Sequence, residues 1–333
     1  MKTLKVISFI ITIFVIIVSG SSCKRHENKK PSSSGKTCEI LVVANEGVYK
    51  GSIEDTLKSF FMQYQEGLNQ PEPLFTLPNI PVSSFENTGM FQAHRNIVLI
   101  ELNDTFRNTF EIFKDLYSSP QLIFSFKNKT KNDFLKLFDE KKVLMLNAFN
   151  ELERTRINAA FKAVEQVNVR EEITKSFGFS LIVPEGFSVA KKTPDFMWIR
   201  KEAKDFGQGI IIHSFPYTNV KDLEFKRIIE KRDSITKLYI PGPTDGSYMT
   251  SEKEFKPYSK EINFNGIYTI ETRGLWKVEG DFMGGPFINY TFVDEKNNRV
   301  IMLDGYLYSP RKPKRDLLKQ LEAILYTYKP NNN

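Results

Sequence analysis

The stretch "EINFNGIYTIETRGLWKVEG" at residues 261–280 decides the fold class of this 333-residue chain. Asn265-Gly266 is the dipeptide that most readily takes positive φ at both central positions of a two-residue hairpin turn. It stands between runs rich in Ile, Thr, Tyr and Trp, residues that pack well on a pleated surface. An antiparallel hairpin is therefore expected here. Downstream, "PFINYTFVD" (286–294) and "RVIMLDGYLYSP" (299–310) read as two further strands joined by the polar "EKNN". Upstream, "DFMWIRKEA" (195–203) and "GIIIHSF" (209–215) continue the sheet, and "FSLIVPEGFSVAKK" (179–192) reads as two short strands around a Pro-Glu-Gly turn. Helices flank these strands. Asn219 and Asp222 cap one that carries Ile228, Ile229 and Ile235, and another runs from Pro313 with Leu317, Leu318, Leu321, Ile324 and Leu325 on one face.

Residues 37–175 read differently. "CEILVVA", "NIVLIEL" and "QLIFSF" are strand-like, and amphipathic segments separate them. Ser52 and Asp55 open a helix with Ile53, Leu57, Phe60, Phe61 and Tyr64 on one face. Asn103/Asp104 open a second with Phe106, Phe110, Phe113 and Tyr117, stopped by Pro120. Thr130 and Asp133 open a third, and the pattern stays helical from Val143 to Val167. The expectation is an α+β chain of two domains: an α/β layer domain at 37–175, ferredoxin-like or a related sandwich, and an antiparallel sheet packed with helices at 176–330.

The amino terminus has the layout of an export signal. Lys2 and Lys5 precede an apolar run from Val6 to Val18, too short to span a bilayer, followed by Ser19, Gly20, Ser21, Ser22 and then Cys23. That order resembles the bacterial lipobox, although Gly20 stands where leucine is common. The resemblance implies cleavage after residue 22 and a diacylglycerol on Cys23, so that the lipid bilayer becomes a partner. Residues 23–36, ending in "KRHENKKPSSSGK", read as a flexible tether. The implied location is the bacterial cell envelope, lipid-anchored on the outer membrane and facing the periplasm. The plainer alternative is a signal peptide followed by an incidental cysteine.

The formal charge of +7 suggests nucleic acid until it is located. Lys2 and Lys5 leave with the signal, and residues 24–36 carry five basic side chains against Glu27. The remainder is close to neutral, which removes nucleic-acid binding from the expected functions. Cys38, within an apolar run, reads as a small buried hydrophobe.

No catalytic, metal or cofactor constellation emerges. His26, His94 and His213 lie far apart with no ligand spacing around them. Asp195, Asp281, Asp294 and Asp304 fall at or between strands, where turn and surface roles are usual. The best candidate surface joins "YIPGPTDGSYM" (239–249) and "RGLWKVEGDFMGGPF" (273–287). Gly284-Gly285-Pro286 permits a tight turn or close approach of a partner, and Tyr239, Tyr248, Trp276 and Met283 offer anchoring area. Arg232 and Arg273 offer guanidinium forks. Together they suit a peptide, a glycan or a lipid headgroup. The plainer alternative is that Gly and Pro run tight connections while Trp276 and Met283 fill the core.

Those two segments, with "QPEPLF" (70–75), "SPRKPKRDLLKQLEAIL" (309–325) and the lipobox, resemble the domain of unknown function 4837 family, envelope lipoproteins of Bacteroidetes-type bacteria. The resemblance extends over nearly the whole chain after Cys23. It implies location and fold and carries no activity. The carboxy-terminal part also resembles the PsbP-like sandwich. The expected function is a membrane-anchored binding or assembly module with an envelope protein or glycan as partner; the alternative is a periplasmic hydrolase of cell-wall or glycan material.

Overall fold

The computed structural model describes residues 30–331. The signal peptide, Cys23 and the start of the tether lie outside the described residues.

The amino-terminal half is built on a five-stranded sheet ordered β2-β1-β3-β5-β4. In chain order its elements are β1 (Leu41–Val43), α1 (Glu46–Tyr49), α2 (Ser52–Phe61), β2 (Asn79–Ile80), α3 (Val82–Asn87), α4 (Gly89–Gln92), β3 (Asn96–Leu102), β4 (Thr109–Lys114), β5 (Leu122–Asn128) and α5 (Lys131–Ala163). β1, β2, β3 and β5 are parallel, and only β4 runs against its neighbour. This excludes the ferredoxin-like arrangement, whose sheet is antiparallel. Parallel strands need crossover connections and helices on both faces. Accordingly Val42, Val98 and Phe124 pack toward α2 and α5, while Val43, Ile97 and Ile123 pack toward α3.

The helix expected after Asn103/Asp104 is strand β4. Phe110 packs into the α5 side and Phe113 into the α3 side. Aromatic residues on both faces of a doubly covered sheet imitate a helical spacing of three and four, which explains the misreading. Thr130 and Asp133 form the expected capping box at the start of α5.

The tether is shorter than expected. Ser32 and Ser34 make bridges with Ser119 and His94, so residues from Pro31 onward lie on the amino-terminal half.

The carboxy-terminal half contains α6 (Val167–Phe177), β6 (Phe179–Ser180), β7 (Ser188–Lys192), β8 (Phe196–Glu202), β9 (Gly207–Pro216), α7 (Phe225–Tyr239), β10 (Tyr248–Ser251), β11 (Tyr258–Phe264), β12 (Ile267–Glu279), β13 (Gly284–Asp294), β14 (Arg299–Tyr308), α8 (Arg315–Leu325) and β15 (Lys329–Pro330). Seven strands follow the order β10-β12-β13-β14-β9-β8-β7, and β11 also pairs with β12. Every pairing is antiparallel. The Asn265-Gly266 turn sits where expected, with φ of 53° and 90°. The two strands read around Pro184 do not form a hairpin: β6 pairs with β15 and β7 with β8. Leu181 and Val183 between them go into the core instead.

Two helices cover one face of this sheet. Phe177 of α6 and Leu318, Leu321, Ile324 and Leu325 of α8 bury against Ile199, Ile210, Ile288 and Leu303. Each such side chain contributes about 1.5–3 kcal/mol, and Leu321→Ala would cost about 2–5 kcal/mol. α7 packs on the opposite face. The result is an α+β sandwich, as expected.

The two halves are fastened together at α8. Glu72 accepts the backbone N–H groups of Lys314 (2.7 Å) and Arg315 (2.9 Å), which caps that helix. Arg315 Nη1 donates to Pro73 O at 2.8 Å. "QPEPLF" is thus a docking strap for a helix far along the chain.

Candidate functional site

Strand periodicity builds the site on the α7 face. Alternate residues of a strand share one face, so Phe196, Trp198 and Arg200 of β8 lie with Tyr306 and Tyr308 of β14, and with Trp276 and Val278 of β12. Register confirms the grouping: Arg200 pairs with Gly209, Gly209 with Tyr306, and Gly285 with Trp276. α7 covers only part of this face. Where the helix ends, a cleft of about 510 Å³ opens, lined by Trp198, Trp276, Tyr306, Tyr308, Met249 and Met283 among others. Both tryptophans of the chain are in it.

Hydrogen bonds hold the rings. Trp198 Nε1 donates to Tyr306 Oη at 2.8 Å, and Trp276 Nε1 donates to Leu307 O at 3.1 Å. Trp276 meets Tyr306 edge to face, with centroids 5.4 Å apart. Burial pushes the Tyr306 hydroxyl above its ordinary range, against the opposing effect of the Trp198 hydrogen bond. Two glycines make room. A Cβ on Gly209 would stand 2.1 Å from the Tyr306 ring, and one on Gly285 would stand 2.0 Å from Leu307 O. At the rim, the Arg200 guanidinium lies 5.3 Å from the Trp198 ring and pairs with Glu202 at 3.3 Å.

The predicted surface is partly assembled. Trp276 and Met283 line the cleft, with Ile240, Pro241, Gly242 and Pro243 of the other segment, so both segments meet on one face. Trp276 is nevertheless buried, at 3% exposure, and forms floor rather than free anchor. Tyr239 ends α7 stacked on Phe196, centroids 4.4 Å apart. Tyr248 opens β10 under the Lys237 ammonium.

Three expectations need correction. Gly284, Gly285 and Pro286 are not a tight turn; they begin β13 and pair with Lys277, Trp276 and Leu275. Arg232 is not a surface fork. It is buried, with Nε 2.8 Å from Asp304 Oδ2 and its guanidinium over the Phe287 ring, and so joins α7 to the sheet. Arg273 is three residues from Trp276 and therefore faces the other side.

On that other side lies a second cleft, of about 600 Å³, between the halves. Arg273 Nε donates to Glu271 Oε1 at 2.9 Å, and its Nη2 to Glu322 Oε2 at 2.8 Å. Arg154 from α5 and Lys319 from α8 also reach Glu322, at 3.2 and 3.4 Å. Burial opposes ionisation of Glu322, but Lys319, Arg273 and Arg154 outweigh it and hold its carboxyl far below the usual range. Glu271 is likewise lowered, burial being outweighed chiefly by Arg273.

The remaining candidates have structural partners. His213 is buried, its Nδ1 2.9 Å from Asp195 O, and burial lowers its pKa. Asp294 accepts from Arg299 Nε at 2.9 Å, and Asp281 from Met283 N at 3.1 Å. Burial pushes the Cys38 thiol up to about 12. Among the described residues there is no metal-ligand cluster. The residues that sequence reasoning missed are Trp198, Arg200, Tyr306 and Tyr308. Their signal was present: each lies two positions from a partner within a strand already recognised.

Comparison with known proteins divides the chain at the same place as the sheets. Residues 166–327 belong to the family described as Domain of unknown function (DUF4837). Residues 33–162 match a second family, Domain of unknown function (DUF8532). The resemblance drawn over nearly the whole chain thus resolves into two families, and "QPEPLF" falls in the second. No curated relative matches the chain. Among solved structures, a point mutant of protein Mog1 is similar at 10% identity, over 47% of this chain and 92% of that one, with a TM-score of 0.31. Ran-binding protein Mog1p of Saccharomyces cerevisiae is similar at 10% identity over 46% and 90%, with a TM-score of 0.30. The lipid transfer and protein localization domain of human StarD13 is similar at 9% identity over 49% and 96%, with a TM-score of 0.23. At these scores the likeness carries no argument about ligand or partner.

Proposed function

We propose that the protein is a bacterial envelope lipoprotein, anchored through Cys23 on the outer membrane and facing the periplasm, whose aromatic cleft binds a glycan. The observation that carries the ligand site is the convergence of Trp198, Trp276, Tyr306 and Tyr308 on one open cleft. A sugar ring presents a C–H face that packs on such rings, and hydroxyls that suit Arg200 and Glu202 at the rim. Clefts with apolar walls and a few placed polar groups are the usual form of a ligand site. The export-signal layout and Cys23 support the anchored location.

A periplasmic hydrolase draws less support. Glycoside hydrolysis needs one carboxyl group held protonated beside a second carboxylate. Glu271 and Glu322 are both held ionised by buried cations, and Glu202 pairs with Arg200.

The test is calorimetric titration with soluble oligosaccharides from hydrolysed envelope polysaccharide. Trp198→Ala and Tyr308→Ala, both at partly exposed positions, are expected to weaken binding about ten-fold or more while the fold persists. Unchanged affinity in both variants would remove the cleft from the function.

A further inference from the structure

The point where the described chain begins is fixed on the folded body. Ser33 N donates to Ser119 O at 3.3 Å, Ser119 N to Pro31 O at 2.9 Å, and Ser34 N to Ala93 O at 2.9 Å. The Lys30 ammonium donates to the Asp115 carbonyl. All of these contacts lie at the end of the sheet where β3 and β5 begin, beside α4 and the 115–121 loop.

These segments form one rigid knot. Ser118 Oγ donates to Ala93 O at 2.9 Å, and Gln121 Nε2 donates to Gln92 O at 2.6 Å. Arg156 from α5 clamps it from behind, with Nη2 2.7 Å from Arg95 O and 3.0 Å from Pro120 O. Yet the knot turns apolar side chains outward: Met90 is 67% exposed, Leu116 43% and Tyr117 38%. Lys30 and Lys114 beside them are exposed. The Asp115 carboxylate is occupied by the Gln121 N–H at 2.7 Å. Glu86 on α3 and Glu111 on β4 are the exposed acids on flanking elements.

We propose that this knot rests on the lipid bilayer, with Met90, Leu116 and Tyr117 in the interfacial layer and Lys30 and Lys114 against anionic headgroups. The inference rests on the reading of Cys23 as acylated. From Cys23 to Lys30 the chain spans at most about 25 Å when fully extended. The anchor therefore keeps Lys30, and the knot it is bonded to, within about 25 Å of the membrane surface. Tyrosine and apolar side chains gain at the headgroup level, and a second contact strengthens an acyl anchor.

The experiment uses the full chain, expressed with its own leader and reconstituted into phosphatidylethanolamine/phosphatidylglycerol vesicles containing a nitroxide-labelled lipid. Leu116→Cys and, separately, Met90→Cys carry an environment-sensitive fluorophore; Cys38 is buried and stays unlabelled. Phe255→Cys, 61% exposed on the carboxy-terminal half, serves as reference. The expected result is loss of emission at 116 and 90 well beyond the loss at 255. Full emission at both positions, with an acyl mass on Cys23, overturns the membrane face alone. Absence of the acyl mass overturns the anchor reading and this inference with it.

Discussion

The two clefts of the carboxy-terminal half lie on opposite faces of one sheet and differ in what their side chains already do. In the cleft between the halves, Arg273, Lys319 and Arg154 converge on Glu322, and Glu271 takes the other side of Arg273. Its polar groups satisfy one another and tie α5 to α8. In the aromatic cleft Trp198 and Trp276 are fixed from behind by hydrogen bonds to Tyr306 and Leu307. Trp276 and Tyr306 are buried as its floor, and the partly exposed rings of Trp198 and Tyr308 border the open space. The larger and more charged cavity is therefore the structural one. A cleft becomes a ligand site when its groups are held in place yet left without a partner for the exposed face.

Substitutions at three positions test this division. The largest effect is expected at Glu322. Its replacement by Ala leaves buried cations uncompensated and should cost about 3–5 kcal/mol, read by denaturant unfolding. The same group sets a pH dependence. Its folded pKa lies below the ordinary 4.5, so its contribution is complete above that value and is lost as pH falls through the folded pKa. Stability of the native protein should therefore decline below about pH 4.5, and Glu322→Gln should flatten that decline. A wild-type stability independent of acid would break the contrast between the clefts.

Next in size is Gly209→Ala. The added Cβ would occupy the position of the Tyr306 ring, and overpacking of this kind costs about 1–3 kcal/mol. It should also tilt Tyr306 away from Trp198, read as a change in tryptophan emission. Smaller again is Glu72→Ala, which uncaps α8 at a cost of about 1 kcal/mol. It should loosen the strap between the halves and leave the aromatic cleft's emission unchanged.

The sheet that bears both clefts was legible because Asn265-Gly266 and the alternating strands around it specify pairing locally. Capping residues likewise marked α5, and Asn219 with Asp222 marked the turn before α7. The amino-terminal topology was hidden, because the parallel order of β1, β3 and β5 depends on crossovers that no short spacing encodes. β4 imitated a helix since Phe110 and Phe113 serve opposite faces. Trp276 and Met283 were found by their surroundings of Gly and Pro. Arg232 was misplaced because its carboxylate partner, Asp304, lies 72 residues away. Arg273 has Glu271 two residues away on the same strand face, but the helix residue that completes its burial, Glu322, lies 49 residues away.

The central claim is that ligand enters the aromatic cleft, and tryptophan emission tests it most directly. The chain has two tryptophans and both line that cleft, so intrinsic emission reports on no other site. Titration with envelope oligosaccharides should shift the emission in step with calorimetric binding, and Trp198→Ala should move the midpoint of both to about ten-fold higher ligand concentration or more. Binding heat with no change in emission would contradict the account and move the ligand elsewhere.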